Sequence, residues 1–453
     1  MTTRDAMIEA ALKVATETKD LLLGPGVLSD VPDVLRQNFG SNAGAVVVAD
    51  PSTFAAAGRR VTDLLRGAGI RTAEPIVLDV PDLHAEMPHV RTIEEALRRT
   101  EAATVPVAVG SGTINDMTKL AAHRLDRAYL SVATAASMDG YTAYGASITS
   151  EGSKETFACP APRALVADME VLAAAPGRLN AAGYGDLAAK ITAGADWMLA
   201  DALGVEPIDP EAWSLCQDRL REWLGDPEGI RRGNHAAIRN LIEGLCLTGF
   251  AMQKTRSSRP VSGSDHLFSH LWDMQEHTHN GHAPFHGYKT GIGTIAATVL
   301  YEDLYDRIPS RIDVEAAVAA WPEPAAVPAL VERTHARPDL RRVALREMGA
   351  KHPDRAALRA RLKKIADVWP GLVPRLRKQL IPPRELRQML RAVGGPADPA
   401  GIGIDLPRLR RSYVEAQQIR RRYTVLDLAA ETNLMPECLE RLFGGQGFWG
   451  KGE

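Results

Sequence analysis

The chain has 453 residues, 45% of them apolar and 24% charged, so it can bury a large core and make two to three domains. A net charge of −2 excludes a global field that would favour nucleic acid or an anionic membrane. Cys159, Cys216, Cys246 and Cys438 lie far apart with no CxxC spacing, which excludes a disulfide framework and a cysteine-based zinc site.

The first stretch, MTTRDAMIEAALKVATETKDLLLG, is amphipathic and contains acids, so it is not a secretory signal. Residues 5–23 predict a helix, with Met7, Ala11, Val14 and Leu21 to Leu23 on its apolar positions. No run reaches the roughly 18 apolar residues of a membrane span. A soluble cytoplasmic protein is therefore expected. GAVVVAD (Gly44 to Asp50) predicts a buried parallel strand, followed by a helix at AAAGRRVTDLLRGAG and a strand at PIVLDV. This strand–helix–strand alternation predicts a doubly wound α/β domain, whose ligands sit beyond the carboxyl ends of the strands. Asp50, at one such end, either accepts bonds from a ribose diol or caps the next helix.

A helix at IEEALRRTE precedes TVPVAVGSGTINDMTKLAA, in which the strand Val105–Val109 runs into Gly110-Ser111-Gly112 and a helix near Asn115. Such a turn brings backbone N–H groups to a phosphate, or it is a tight turn with no ligand. YLSVATAASMDGYTAYGASI is a strand and then a long loop of small residues, over which something flat or charged can lie. Asp139, its one acid, binds a hydroxyl or caps the loop. KETFACPAPRALVADMEVLAAAP carries two further short strands, and strand-like runs stop near residue 176. The domain boundary is placed there, with residues 1–175 as an α/β domain and 176–453 as an all-α domain.

The helical part opens with GYGDLAAKITAGADW, where Asp186 stands early in a predicted helix with Lys190 one turn on. An acid there complements the helix dipole, or it is a metal ligand. Residues 207–260 predict helices with a Trp- and Leu-bearing core stripe. The stretch Pro260 to Gly293, PVSGSDHLFSHLWDMQEHTHNGHAPFHGYKTGIG, holds six of the twelve histidines. His266 and His270, four apart, share one helix face behind a possible Ser264 N-cap, and His286 sits in a predicted His-Gly turn. Two imidazoles and a carboxylate from Asp186 suit Zn, Fe, Ni or Mn. The alternative is a polar surface loop, which also describes His277, His279 and His282. TGIGTIAATVLYEDLYDRI is an apolar helix. Residues 310–425 are Arg-rich helices with solvated charged faces and no interleaved aromatics, so no nucleic-acid binding is expected. GGQGFWGKGE reads as a loose tail.

GSGTINDMTK, TAASMDGYTAYGASI, GYGDLAAKITAGADW, SGSDHLFSHLWDM, HGYKTGIGT and RYTVLDLA, in that order, closely resemble the sn-glycerol-1-phosphate dehydrogenases of the bacterial arabinose-operon type. That family sits with glycerol dehydrogenase and dehydroquinate synthase among the iron-containing alcohol dehydrogenases. The likeness runs from about Asp50 to about Leu428. It implies the dehydroquinate-synthase-like fold, a Rossmann-like α/β domain followed by an all-α domain. It also implies NAD(P)H-linked, metal-dependent reduction of dihydroxyacetone phosphate to sn-glycerol 1-phosphate, a product that feeds phospholipid metabolism.

The resemblance assigns Asp186, His266 and His286 to one catalytic divalent ion (Zn, Ni or Fe), and Asp139, Asp186 and His270 to substrate. It assigns Asp50 to the adenosine ribose and Gly112, Thr113, Ile114, Asn115 and Asp116 to the pyrophosphate. Thr134, Ala135, Ala136 and Ser137 lie beside the nicotinamide in this scheme. Ala143 replaces a serine that contacts the cofactor in the family, and SGSDH replaces the usual SGxEH. A homodimer or larger homo-oligomer is implied. The rival readings are a dehydroquinate-synthase-like sugar phosphate cyclase, a glycerol dehydrogenase acting on unphosphorylated polyol, and a binding protein without turnover, toward which only Ala143 leans.

Overall fold

A computed structural model describes residues 3–150, 153–305, 307–308 and 312–450. Six parallel strands form one sheet: β1 (Asp20–Gly24), β2 (Gly44–Ala49), β3 (Ile76–Val77), β4 (Thr104–Gly110), β5 (Leu130–Ala133) and β8 (Ala164–Asp168). Their order is β1-β8-β5-β4-β2-β3. β6 (Ala146–Ser150) and β7 (Ser153–Phe157) pair antiparallel outside it.

Every residue of β2 is buried, which is why its sequence reads as a continuous apolar run. Ala45, Val47 and Ala49 join a core with Val31, Val34 and Leu35 of helix Val31–Phe39 and with Val61 and Leu65 of helix Arg59–Gly67. Val46 and Val48 face the other way, toward Val90, Ile93 and Leu97 of helix Met87–Arg98 and Ile114, Met117 and Leu120 of helix Gly112–Arg124. Helices thus cover both faces, as expected.

One expectation fails at the start. The helix stops at Val14, and Leu21 to Leu23 belong to β1, which pairs with β8 from Asp20↔Ala164 to Gly24↔Asp168. Three consecutive leucines fit either period, and pairing at the sheet edge decides for the strand. The PIVLDV strand shrinks to Ile76–Val77. β6 falls within what reads as loop.

Among the described residues no strand follows β8, and they are helical or irregular beyond residue 176. The chain divides into two compact units: Met1–Leu187 with Pro210–Pro260 and Ala392–Gly394, and Ala188–Asp209 with Val261–Arg391 and Gly395–Glu453. Secondary-structure type changes near 176, but packing does not. Helix His235–Thr255 packs on the first unit through Gly249, where a Cβ would come within 2.0 Å of Thr142 Oγ1, and through Thr142 Oγ1, which donates to Cys246 O at 2.7 Å. Among the described residues no helix is long and apolar enough to cross a membrane.

The second unit is built around Asp196, which is fully buried. Its Oδ2 accepts from Ser264 N at 2.6 Å and Ser264 Oγ at 2.7 Å; its Oδ1 accepts from Tyr301 Oη at 2.7 Å and Val425 N at 2.8 Å. Ser264 is therefore not its own helix's N-cap. Gly263 holds that position without a side chain, and Asp196 supplies the missing acceptor from a neighbouring helix. Nor are residues 444–450 of the tail loose: Trp449 is buried at 4% exposure, while 451–453 lie outside the described residues.

Candidate active site

Asp186, His266 and His286 converge. One potential ligand atom from each lies within 4.8 Å of the other two. Asp186 is fully buried and His266 5% exposed, while His286 is half-buried.

Asp186 does not begin a helix, as its sequence context suggests. It lies in the last turn of helix Gly177–Ala188, which passes through a one-residue break into helix Lys190–Ala202. The dipole-complementing role at an N-terminus is therefore excluded. Glycine inside this helix has a local reason: a Cβ on Gly183 would lie 1.8 Å from Ala136 O, so the helix can sit against the TAAS loop backbone only without one. Asn180 on the same helix accepts from Ala136 N at 3.0 Å and donates to Leu172 O at 2.9 Å. Asp139 N donates to Asp186 Oδ2 at 3.0 Å, which fixes the carboxylate and places Asp139 beside it.

His266 and His270 lie one turn apart on helix Ser264–Met274. His286 is the first residue of helix His286–Tyr305 rather than part of a turn. Both imidazoles of the cluster thus come from helices. A Cβ on Gly293 would meet Asp265 O at 2.3 Å, so the GIG sequence is what lets these two helices close. The His266 and His286 ring centroids are 5.1 Å apart, and His270 lies 5.9 and 6.1 Å from them.

Each cluster imidazole is held through Nδ1. His266 Nδ1 pairs with Asp265 Oδ2, and Asp265 Oδ1 accepts from Thr192 Oγ1 at 2.7 Å. His286 Nδ1 pairs with Ser269 Oγ at 3.3 Å. This arrangement fixes the orientation of both rings. A fully buried carboxylate with two such imidazoles is the donor set a divalent cation compensates, so the residues fit the metal. The aspartate of SGSDH was legible only as a mild change beside a ligand; it orients His266. Thr192, far off in sequence, gave no signal.

The cofactor candidates stand at the carboxyl ends of β2, β4 and β5. The strand order reverses between β2 and β4, the usual place for a nucleotide. Asp50 caps the next helix turn: Oδ1 accepts from Ser52 N at 2.9 Å and Thr53 N at 3.0 Å, and Thr53 Oγ1 accepts from Asp50 N. Ser111, the N-cap of helix Gly112–Arg124, makes no side-chain cap bond, and Gly112 and Thr113 are half-buried in its first turn. Ile114 is buried against Gly110, where a Cβ would lie 2.4 Å from the Ile114 Cβ.

Asn115 and Asp116 turn inward. Asn115 Oδ1 accepts from Tyr129 Oη at 3.2 Å and Ser131 Oγ at 3.0 Å, and Asp116 Oδ2 accepts from Ser147 N at 3.2 Å. Burial pushes the Tyr129 phenol well above its ordinary range, with Asp116 adding to the rise, so it remains a donor. Lys119, the last residue of GSGTINDMTK, is fully buried. Its Nζ donates to Gly140 O at 2.8 Å and to Ala143 O and Gly145 O at 3.0 Å, with Asp116 Oδ1 at 3.6 Å. It ties the 140–145 loop to helix Gly112–Arg124.

Thr134 N donates to Gly110 O at 3.1 Å; Ala135 and Ala136 are buried. Ser137 Oγ lies 3.3 Å from Tyr141 Oη, which donates to Ala135 O at 2.7 Å. Ala143 is buried and carries no polar group in place of the family's serine. Lys190 is fully buried.

Among the other histidines, His277 is no surface residue. It is 8% exposed, its Nε2 pairs with Ile402 O at 2.6 Å, and its Nδ1 with Arg408 Nη1 at 2.8 Å. His279 and His282 bracket a tight turn in which Asn280 and Gly281 both have positive φ.

The family model for iron-containing alcohol dehydrogenases matches residues 22–176. A glycerol-1-phosphate dehydrogenase [NAD(P)+] of Halalkalibacterium halodurans is 33% identical over 287 residues, 63% of this chain and 71% of the relative. Its namesake in Geobacillus thermodenitrificans is 30% identical over 391 residues, 86% and 87% of the two chains. The Methanosarcina mazei protein of that name is 36% identical over 62% of this chain and 76% of its own. Among solved structures, glycerol dehydrogenase from Schizosaccharomyces pombe superposes with TM-score 0.59 at 14% identity, covering 94% of this chain and 91% of that one. Maleylacetate reductase from Agrobacterium tumefaciens gives 0.58 at 16% identity over 94% and 97%. The structural likenesses establish the fold, and the sequence likenesses at this coverage establish more: the chain belongs to the glycerol-1-phosphate dehydrogenase family.

Proposed function

We propose that the chain is a metal-dependent, NAD(P)-linked oxidoreductase that reduces dihydroxyacetone phosphate to sn-glycerol 1-phosphate. The observation that carries the reading is the approach of Asp186, His266 and His286 to within 4.8 Å, each imidazole oriented through its Nδ1. Asp186, His266 and His286 would hold the ion through one carboxylate oxygen and two Nε2 atoms. When bound, a divalent cation supplies Lewis acidity at the ketone oxygen and the reduced nicotinamide supplies the hydride.

The residues of this chain do the rest. Asp139, hydrogen-bonded through its N–H to Asp186, and His270, one helical turn from His266, are placed to hold substrate hydroxyls and to set which carbonyl face is presented. The half-buried first turn at Gly112 and Thr113 offers backbone N–H groups to the pyrophosphate, and Asn115 and Asp116 shape that turn from within. Thr134 to Ser137 form a floor of small side chains beside the nicotinamide. Asp50 Oδ1 accepts from two cap N–H groups; among the described residues Oδ2 receives only the Thr53 hydroxyl, at 3.0 Å, which leaves capacity for a ribose hydroxyl. The reading carries with it a cytoplasmic enzyme, a homodimer or larger assembly, and a product that feeds lipid synthesis.

The test is a panel of dihydroxyacetone phosphate, dihydroxyacetone and glycerol with NADH and NADPH, after metal stripping and add-back of Zn, Ni or Fe, reading product chirality. Net cofactor oxidation separates this reaction from a cyclase, which shows none. Asp186→Ala is expected to lose at least a factor of about 100, roughly 2.7 kcal/mol of barrier. Reduction of dihydroxyacetone phosphate by Asp186→Ala at the wild-type rate would remove the assignment.

A further inference from the structure

The residues Gly444 to Gly450 fold back on the helix they follow. Gly447 N donates to Gly444 O at 2.7 Å, and Trp449 N to Leu442 O at 2.9 Å. The glycines permit this: a Cβ on Gly447 would lie 2.0 Å from Arg441 O, and one on Gly450 1.8 Å from Gly444 O. The fold-back seats the Trp449 indole in the core, stacked on Phe443 at 6.4 Å and edge-on to Phe448 at 4.8 Å, with the Arg387 guanidinium 4.3 Å from the Phe448 ring.

What the indole touches gives the segment its meaning. Trp449 Nε1 donates to Tyr413 Oη at 3.1 Å, and Tyr413 Oη donates to Ala296 O at 2.9 Å. Ala296 is on the helix that starts with His286. The Tyr413 ring stands edge-on, at 5.0 Å and 81°, against Phe268, which lies between His266 and His270 in sequence and on the opposite side of their helix. One turn on, Trp272 Nε1 donates to Ser412 Oγ at 2.9 Å. A single tyrosine therefore contacts both histidine-bearing helices from behind, and Trp449 holds that tyrosine in place.

We propose that residues 444–450 are a strap that positions the two ligand-bearing helices, with Trp449 as the positioning residue acting through Tyr413. The inference rests on the metal-dependent reading above. A metal site is only as precise as the shell that supports its ligands, and a loosened shell shows first as weaker metal retention.

The test uses the full chain loaded with Zn2+, a redox-inert probe, and follows zinc release to a chromogenic chelator at 25 °C beside thermal unfolding. Trp449→Ala is expected to stay folded at that temperature and to release zinc about tenfold faster or more. Trp449→Phe recovers part of the difference, and Tyr413→Phe, which keeps the ring, moves release the same way. Because the two residues act in series, the double variant Trp449→Ala/Tyr413→Phe releases no faster than Trp449→Ala alone. Wild-type release from Trp449→Ala, with or without a lower midpoint, overturns the strap; so does full additivity in the double variant. Should Trp449→Ala fail to fold, wild-type release from both Trp449→Phe and Tyr413→Phe overturns it. A wild-type protein that holds no zinc at all overturns the metal reading itself, a distinct result.

Discussion

Lys119 is a cation with almost no access to water, and its position explains a loop that composition alone leaves undefined. An ammonium so placed is tolerable because three carbonyls and a carboxylate surround it. Remove it, and the carbonyls of Gly140, Ala143 and Gly145 are left buried without their donor. Lys119→Met, close in length and apolar, is therefore expected to cost about 3 kcal/mol or more. It should also raise the KM for the nicotinamide cofactor, since the 140–145 loop loses its tether to helix Gly112–Arg124. Denaturant unfolding checks the first effect and steady-state kinetics the second; a variant unchanged in both would show that the loop needs no tether. Lys119 was in plain view within GSGTINDMTK, yet a lysine at the end of a motif reads as a solvated charge. Only the fold shows that its end is enclosed.

Two histidine-bearing helices and one aspartate-bearing helix make the cluster, and two glycines seat them where neighbouring backbone crosses. A Cβ on Gly293 would lie 2.3 Å from Asp265 O, and one on Gly183 1.8 Å from Ala136 O. Backbone oxygens cannot swing aside as side chains do. Gly293→Ala and Gly183→Ala are expected at the upper end of the usual overpacking cost, about 3 kcal/mol, and Gly293→Ala should also weaken metal retention by parting the ligand helices. Gly349, inside helix Pro338–Lys351, has no atom within 4 Å of its would-be Cβ. Gly349→Ala should stabilise by roughly 0.5–1 kcal/mol. Chemical denaturation of the three variants decides, and a destabilised Gly349→Ala beside a neutral Gly293→Ala would reverse the argument. At this scale the sequence was legible where period and punctuation agree, as at GAVVVAD and in His266 and His270 one turn apart. It was ambiguous where they do not: Leu21 to Leu23 fit helix or strand, and Gly183 and Gly185 look like a break before a helix although they lie inside one. The carboxylate and the two imidazoles stood as one of two open readings of their residue types, and family likeness chose it. Spacing reached the shared face of His266 and His270 but could not join Asp186 to residues some eighty positions away.

For the whole molecule, a net charge of −2 and a pI near 6.7 mean that acid does not act first through overall repulsion. Individual buried groups set the response. His335 is 2% exposed, and burial lowers its pKa, with Arg341 adding to the fall and the Gln418 side chain opposing it. Burial lowers His277 and His352 as well. The native state takes up protons on these rings less readily than the unfolded chain, which protonates them below about pH 6.5. Their contribution to stability is complete above that pH and is lost as pH falls toward their native values. Glu431 works in the opposite sense. Burial pushes its carboxyl up to about 7 against the pull of Arg361, so its contribution is present at low pH and lost as pH rises through that value. A wild-type curve mixes both signs; a paired comparison does not. His335→Leu removes one proton site of similar volume. Between pH 7.5 and pH 5.5 the wild type should lose more stability than His335→Leu, measured by urea unfolding at a series of pH values. Parallel curves would mean that His335 titrates alike in the folded and unfolded chain, and that its burial carries no pH-dependent free energy.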